Sequence, residues 1–226
     1  YGTGCFMIMN TGDQCLYSEN KLLSTVAYRI KNEITYALEG SIFVAGSAIQ
    51  WLRDELNFFD DSSESEKLAK KARKDSKVLV VPALTGLGAP HWDANARGAI
   101  FGLTRDTGKE EVTKATLESI AYQTKDLVQS MRGDNASLEK LMIDGGMVAN
   151  EWFCQKLSNV LQVEVERPKI IETTALGAGF LAGMSADIFG DLNSLSDLKS
   201  VDRTFVPRKE NDNYEEWRNA VKKILT

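Results

Sequence analysis

Tyr1-Gly2-Thr3-Gly4-Cys5-Phe6-Met7-Ile8-Met9-Asn10-Thr11-Gly12 opens the chain, and it reads as half of a phosphate site running into a strand. Two glycines flank a threonine. Glycine leaves room for a ligand to approach the backbone. The threonine hydroxyl and neighbouring N–H groups can donate to phosphate oxygens. Phe6 to Met9 is apolar and reads as a strand, with Asn10 to Asp13 as its turn. By pattern alone Phe6 reads as core. A chain that opens inside such a motif reads as part of something longer, with the reacting partner of that phosphate elsewhere.

The rest of the chain supports an α/β class. A return strand is expected from Cys15 to Tyr17, and another β-rich run covers Leu22 to Ile30. Residues 40–58 switch to helical spacing, with Ile42, Phe43, Ile49, Trp51, Leu52 and Leu56 recurring at three and four. Asp60 to Glu66 is a polar loop that starts a basic helix, Lys67 to Lys77. Val78 to Val81 is an apolar strand of the kind buried on both faces, stopped by Pro82. The remaining expectations are a helix from Glu110 to Met131, a strand from Leu138 to Ile143 and a helix from Glu151 to Leu161. A short strand, Val163 to Val165, precedes a small-residue helix from Thr173 to Met184. The tail, 203–226, is expected to end in an amphipathic helix carrying Tyr214, Trp217, Val221 and Leu225. Strands followed by alternating helices and strands imply a mixed sheet flanked by helices. No Pro/Gly-rich linker splits the 226 residues, so one domain is expected.

The bulk numbers narrow the function. Net charge is −5, which does not suggest nucleic acid or a membrane surface as partner. The apolar runs are too short to span a bilayer. Three scattered cysteines, Cys5, Cys15 and Cys154, suggest no disulfide framework and favour a reducing, cytoplasmic setting.

Two further segments have ligand-site character. Gly46-Ser47-Ala48-Ile49-Gln50 places a glycine inside an expected helix, where it costs about 1 kcal/mol against alanine. That suggests close approach by a neighbour or a ligand, and Gln50 falls on the same face. The alternative, favoured by these residues alone, is helix–helix packing at Gly46 with a solvated Gln50. Asp144-Gly145-Gly146-Met147-Val148-Ala149-Asn150 runs from a strand into a helix, at the carboxyl end of a strand where α/β sheets bind ligands. Asn150 there is either the helix cap or a ligand contact.

The three segments, in this order, resemble the C-terminal domain of the FGGY carbohydrate kinase family. Gly98-Ala99-Ile100-Phe101-Gly102-Leu103, continuing through Glu111-Val112 to Ala115-Thr116-Leu117-Glu118, is similar to the family's second signature. Tyr36-Ala37-Leu38-Glu39-Gly40, Ile49-Gln50-Trp51-Leu52-Arg53-Asp54, Gly86-Leu87-Gly88-Ala89-Pro90 and Glu118-Ser119-Ile120-Ala121-Tyr122-Gln123 resemble the members that phosphorylate glycerol. The resemblance covers essentially the whole chain. It implies an actin-like, ribonuclease-H-like domain over 1–226, with an N-terminal partner domain absent from this chain. In the full enzyme two such domains close over ATP, magnesium and glycerol, and a homo-oligomer is expected.

By motif, Thr3 is implied to contact the β/γ-phosphates, Gly46 and Gln50 the nucleotide, Gly146 and Asn150 the adenine side, and Phe6 the glycerol carbons. No catalytic base is expected here, because the family's aspartate sits in a Gly-Asp-Gln motif upstream of Tyr1. Gly12-Asp13-Gln14 copies those letters but follows the phosphate strand at a turn. Most magnesium ligands are expected on the missing domain. The lone His91 reads as loop packing beside Trp92, and Asp93 and Arg97 as loop structure or a domain contact. Glu210 to Asn213 matches poorly the segment on which some bacterial members dock a sugar-transport regulator. The rival readings are a kinase of the same family acting on a ketopentose or gluconate, and a non-catalytic actin-like nucleotide-binding module.

Overall fold

A computed structural model describes residues 1–134, 138–196 and 200–226. Its strands fall into three small sheets. The first joins β1 (Cys5–Gly12), β2 (Leu23–Ile30) and β3 (Glu33–Ile42) in the order β1-β3-β2, antiparallel throughout. β1 alternates, with Cys5 and Met7 buried and Phe6 and Ile8 on the open face. The second sheet pairs β4 (Leu79–Val81) with β5 (Ala99–Phe101), antiparallel. The third is mixed: β6 (Lys140–Met142) runs parallel to β7 (Glu164–Pro168), which is antiparallel to β8 (Val201–Phe205).

The helices cover these sheets. α1 (Gly46–Asp54) follows β3, and α2 (Glu64–Lys71) follows the acidic loop. α3 (Lys109–Gly133) is the central element, and most of its residues are buried. It packs closely on β3: a Cβ added at Gly40 would lie 2.7 Å from the Leu127 side chain. α4 (Glu151–Leu161) packs on α3 and on the third sheet, burying Phe153, Cys154, Leu157 and Val160. α5 (Thr173–Ser185) and the short α6 (Leu192–Ser196) follow. α7 (Tyr214–Lys222) docks on the second sheet, where the buried Trp217 indole donates to the Val80 carbonyl at 2.9 Å.

Four local expectations are corrected. Cys15 to Tyr17 is not a strand, and the partner of β1 is β3. Helical structure does not begin at residue 40, because β3 continues to Ile42 and α1 starts at Gly46. Ile42 belongs to the buried face of a strand, and its spacing to Ile49 is coincidental. Val80 and Val81 are buried as expected of an apolar run, yet the strand is short and its pairing antiparallel. The basic helix occupies 64–71, since Ala72 leaves the helical region with ψ of 143°. β8 and α6 carry no periodic signal that sequence reading would detect.

Candidate functional site

Tyr1 joins the first sheet to the third. Its backbone nitrogen donates to the Asp144 carbonyl at 2.9 Å, and its carbonyl accepts from Met147 N–H at 3.3 Å. Gly145 makes this possible. It has φ of +88°, and a Cβ there would sit 2.5 Å from the Tyr1 carbonyl oxygen. The Tyr1 ring packs edge-on against Phe153, with centroids 5.3 Å apart, and its hydroxyl pairs with Thr124 Oγ1 at 2.9 Å. Burial raises the Tyr1 phenol, pushes the Cys5 thiol up to about 11 and pushes the Cys154 thiol up to about 12.

The next two residues receive α1. Gly2 carbonyl accepts from Gly46 N–H at 2.9 Å, and Thr3 carbonyl from Ala45 N–H and Ser47 N–H at 3.0 Å and from Ser47 Oγ at 2.9 Å. Gly46 is therefore the first residue of α1 and not an interior one, which corrects the sequence expectation. Its close neighbour belongs to this chain, since a Cβ would meet Gly2 oxygen at 2.5 Å and the Met147 side chain at 3.4 Å. The first N–H groups of α1 are used by these carbonyls, so the segment is held by its acceptors, while Gly2 N–H turns back to the Gly4 carbonyl at 2.9 Å. Among the described residues, the Thr3 hydroxyl and Thr3 N–H make no hydrogen bond.

The third loop meets the first two here. Gly146 to Ala149 forms a 3₁₀ turn, and Asn150 caps α4 by accepting from Phe153 N–H at 2.9 Å. Substituting a cap of this kind by alanine costs about 1 kcal/mol. Arg167 on β7 ties down the turn by donating to the Val148 carbonyl at 2.9 Å and pairing with Asp202 at 2.6 Å. Thr173 at the start of α5 donates to the Asp144 carboxylate.

Thr3, Gly46 and Gly146 thus lie on loops in direct contact. Gly2, Thr3, Gln50 and Gly146 are exposed. A Cβ at Gly146 would meet nothing within 4 Å, so this glycine is not required by its own chain. Phe6, placed in the core by pattern, is 69% exposed and lies on the open face of β1, so that reading is corrected. Gly12 ends β1, and Asp13 and Gln14 are exposed beyond it.

The convergent surface is open. Two cavities lie elsewhere: one of about 530 Å³ beside Asn159, Gln162 and Glu210, the other of about 240 Å³ beside His91, Asp126 and Arg218. Neither is lined by Thr3, Gly46, Gln50, Gly146 or Asn150, and neither gathers groups from these loops. His91 packs in its loop with Nε2 3.5 Å from Asp126. Asp93 accepts from Asn95 N–H and Ala96 N–H and also from Thr226 N–H at 2.8 Å, which ties the loop to the last residue, and Arg97 donates to the carbonyls of Ala94 and Ala96. No group of three or more His, Cys, Asp or Glu among the described residues is placed to hold a metal ion. No helix among them is long and apolar enough to cross a membrane.

Residues 1–186 match the model of the FGGY family of carbohydrate kinases, C-terminal domain. This chain belongs to the FGGY family. A glycerol kinase of Alteromonas mediterranea is 55% identical over 228 residues, covering 99% of this chain and 46% of that protein. The crystal structure of Plasmodium falciparum glycerol kinase with ADP superposes with a TM-score of 0.89 at 36% identity, covering 100% of this chain and 46% of that one. A ligand-bound xylulose kinase from Lactobacillus acidophilus, at 23% identity and a TM-score of 0.79 over 99% of this chain and 44% of its own, shares the fold. The FGGY chain described here therefore spans less than half the length of the relatives it matches, and its fold is the actin-like, ribonuclease-H-like one.

Supporting residues escaped the sequence reading. Ser65 and Glu66 looked like a solvated helix start, yet Ser65 Oγ lies 3.2 Å from Asn150 Nδ2 and Glu66 Oε2 accepts from Glu151 N–H at 3.1 Å. They are 85 residues from their partners, and no local pattern announces the contact.

Proposed function

We propose that this FGGY chain, read as one domain over 1–226, is the ATP-holding half of a glycerol kinase, which transfers the ATP γ-phosphate to glycerol to give glycerol 3-phosphate. The observation that carries this is the meeting of the Tyr1–Gly4, Ala45–Gln50 and Asp144–Asn150 loops around an outward-facing, unpaired Thr3 hydroxyl. In this reading Thr3 donates to the β/γ-phosphates, Gly46 and Gln50 line the nucleotide, and Gly146 and Asn150 face the adenine. The exposed Phe6 ring packs against the glycerol carbons. The identity to glycerol kinases and the ADP in the Plasmodium relative support the choice of nucleotide and polyol.

Phosphoryl transfer depends mainly on positioning and charge stabilisation around the transferred group. This chain supplies positioning: a backbone platform fixed by Gly145 and Gly46, and a hydroxyl aimed outward. Magnesium would neutralise phosphate charge when bound. Most of its protein ligands are assigned to the other domain. The general base is assigned there too, and its loss alone costs about 10²- to 10⁴-fold. The intact protein is read as a cytoplasmic homo-oligomer.

Two measurements test this. A coupled assay of this polypeptide with ATP and glycerol is expected to show no turnover, and turnover would contradict the division of labour. Calorimetry with millimolar ADP is expected to show weak binding, since one wall of a closed cleft remains. Absence of heat would remove Thr3, Gly46, Gln50, Gly146 and Asn150 as nucleotide contacts. A polyol panel run on the full-length protein separates glycerol from ketopentoses and gluconate.

A further inference from the structure

We propose that Ser65 is a positioning residue for base recognition: its buried hydroxyl holds the Asn150 carboxamide in the one orientation that matches adenine. The inference rests on the nucleotide reading above. Ser65 is 3% exposed, at the start of α2, and contributes nothing to the open surface itself.

The polarity of the hydrogen-bond chain is determined by its ends. Phe153 N–H can only donate, so the Asn150 atom facing it at 2.9 Å is Oδ1. That turns Nδ2 toward Ser65 Oγ at 3.2 Å. Ser65 Oγ has spent its proton on the Ser62 carbonyl at 2.6 Å, so toward Asn150 it can only accept. Every member has one allowed role, and the carboxamide cannot flip without breaking two bonds. Each of its two polar atoms keeps one free position: an N–H on Nδ2 and a lone pair on Oδ1. A carboxamide's adjacent donor and acceptor match adenine, which offers an amino donor beside a ring-nitrogen acceptor. They do not match hypoxanthine, which offers an oxygen where adenine has the amino group. The cap bond alone would leave the amide restrained at one end. The Ser65 bond restrains the other, and Glu66, accepting from Glu151 N–H, fixes α2 against the same helix start.

The test compares ADP with IDP, which differs in the base alone, on this chain and on Ser65→Ala and Ser65→Thr. Wild type is expected to prefer ADP. Ser65→Ala is expected to lose about five- to tenfold in ADP affinity, as for one net hydrogen bond, with IDP changed less than about twofold. Ser65→Thr, which keeps the hydroxyl, is expected to restore the ADP preference. Thermal unfolding of each variant tracks packing separately. A Ser65→Ala variant with an unchanged ADP:IDP ratio overturns the proposal, whether both affinities hold or both fall with stability. So does a Ser65→Thr variant as indifferent to the base as Ser65→Ala. A wild-type chain that ignores ADP takes down the nucleotide reading and this inference with it.

Discussion

α3 and α5 invert the usual relation between composition and burial. α3 carries Glu111, Thr113, Thr116, Glu118, Ser119, Gln123, Thr124 and Asp126, all buried. α5 is built of alanine, leucine, glycine, phenylalanine and methionine around two threonines and a serine, yet Gly183 is its one buried residue among those described. The polar groups of α3 are mostly answered from within the chain. Thr116, Ser119 and Thr124 donate back to the carbonyls of Val112, Thr116 and Ile120 at 2.7–2.9 Å. Glu118 meets Lys156 at 3.1 Å and Lys114 at 3.3 Å. Thr113 Oγ1 and Gln123 Nε2 are the exceptions, buried without a partner among the described residues. Burial follows position in the fold and internal satisfaction, so a polar helix can be the core and an apolar one can lie open.

The sharpest way to break this contrast is at the buried charge. Lys156→Ala leaves the buried Glu118 with Lys114 as its remaining partner and takes the ion pair from Glu210, and it is expected to cost about 3 kcal/mol in urea unfolding; a loss under about 1 kcal/mol would mean that water already solvates the pair. Leu117→Ala, at a side chain only 1% exposed, is expected to cost about 2–5 kcal/mol by the same measurement.

Acid stability gives a smaller effect at the start of α3. Burial raises the Glu111 pKa, but hydrogen bonds from Gly108 N–H, Arg73 N–H and the Arg73 guanidinium outweigh it and hold the carboxyl below its ordinary 4.5. A folded pKa below the unfolded one means stability fully present above about pH 4.5 and lost as pH falls through the lowered value. Glu111→Gln is expected to flatten the stability profile in that acid window, by about 1 kcal/mol. A profile with the wild-type slope would assign the acid loss to other carboxylates. Leu181→Ser on α5, at 41% exposure, is expected to change stability by less than about 0.5 kcal/mol. A large loss there would show that α5 is covered after all.

The same contrast marks what the sequence made legible. Elements with a strong period or an apolar run were readable: α3, α4, α7 and the β1 strand all lie close to where pattern puts them. The meeting of the three loops was readable because glycines sit where backbones meet, as at Gly145 against Tyr1. The start of α1 was misjudged because Ile42 and Phe43 extend an apparent helical period across a strand end. Phe6 was misplaced because alternation says that two faces differ and leaves open which one is covered. Ser65 was invisible because its role arises from a contact across 85 residues.

Amide hydrogen exchange of this chain with and without millimolar ADP tests the central claim most directly. The account predicts added protection in Gly2–Gly4, Gly46–Gln50 and Gly146–Asn150 together, with the cavity beside Asn159 and Glu210 unchanged. Protection confined to that cavity, or to one loop of the three, would contradict a shared nucleotide site.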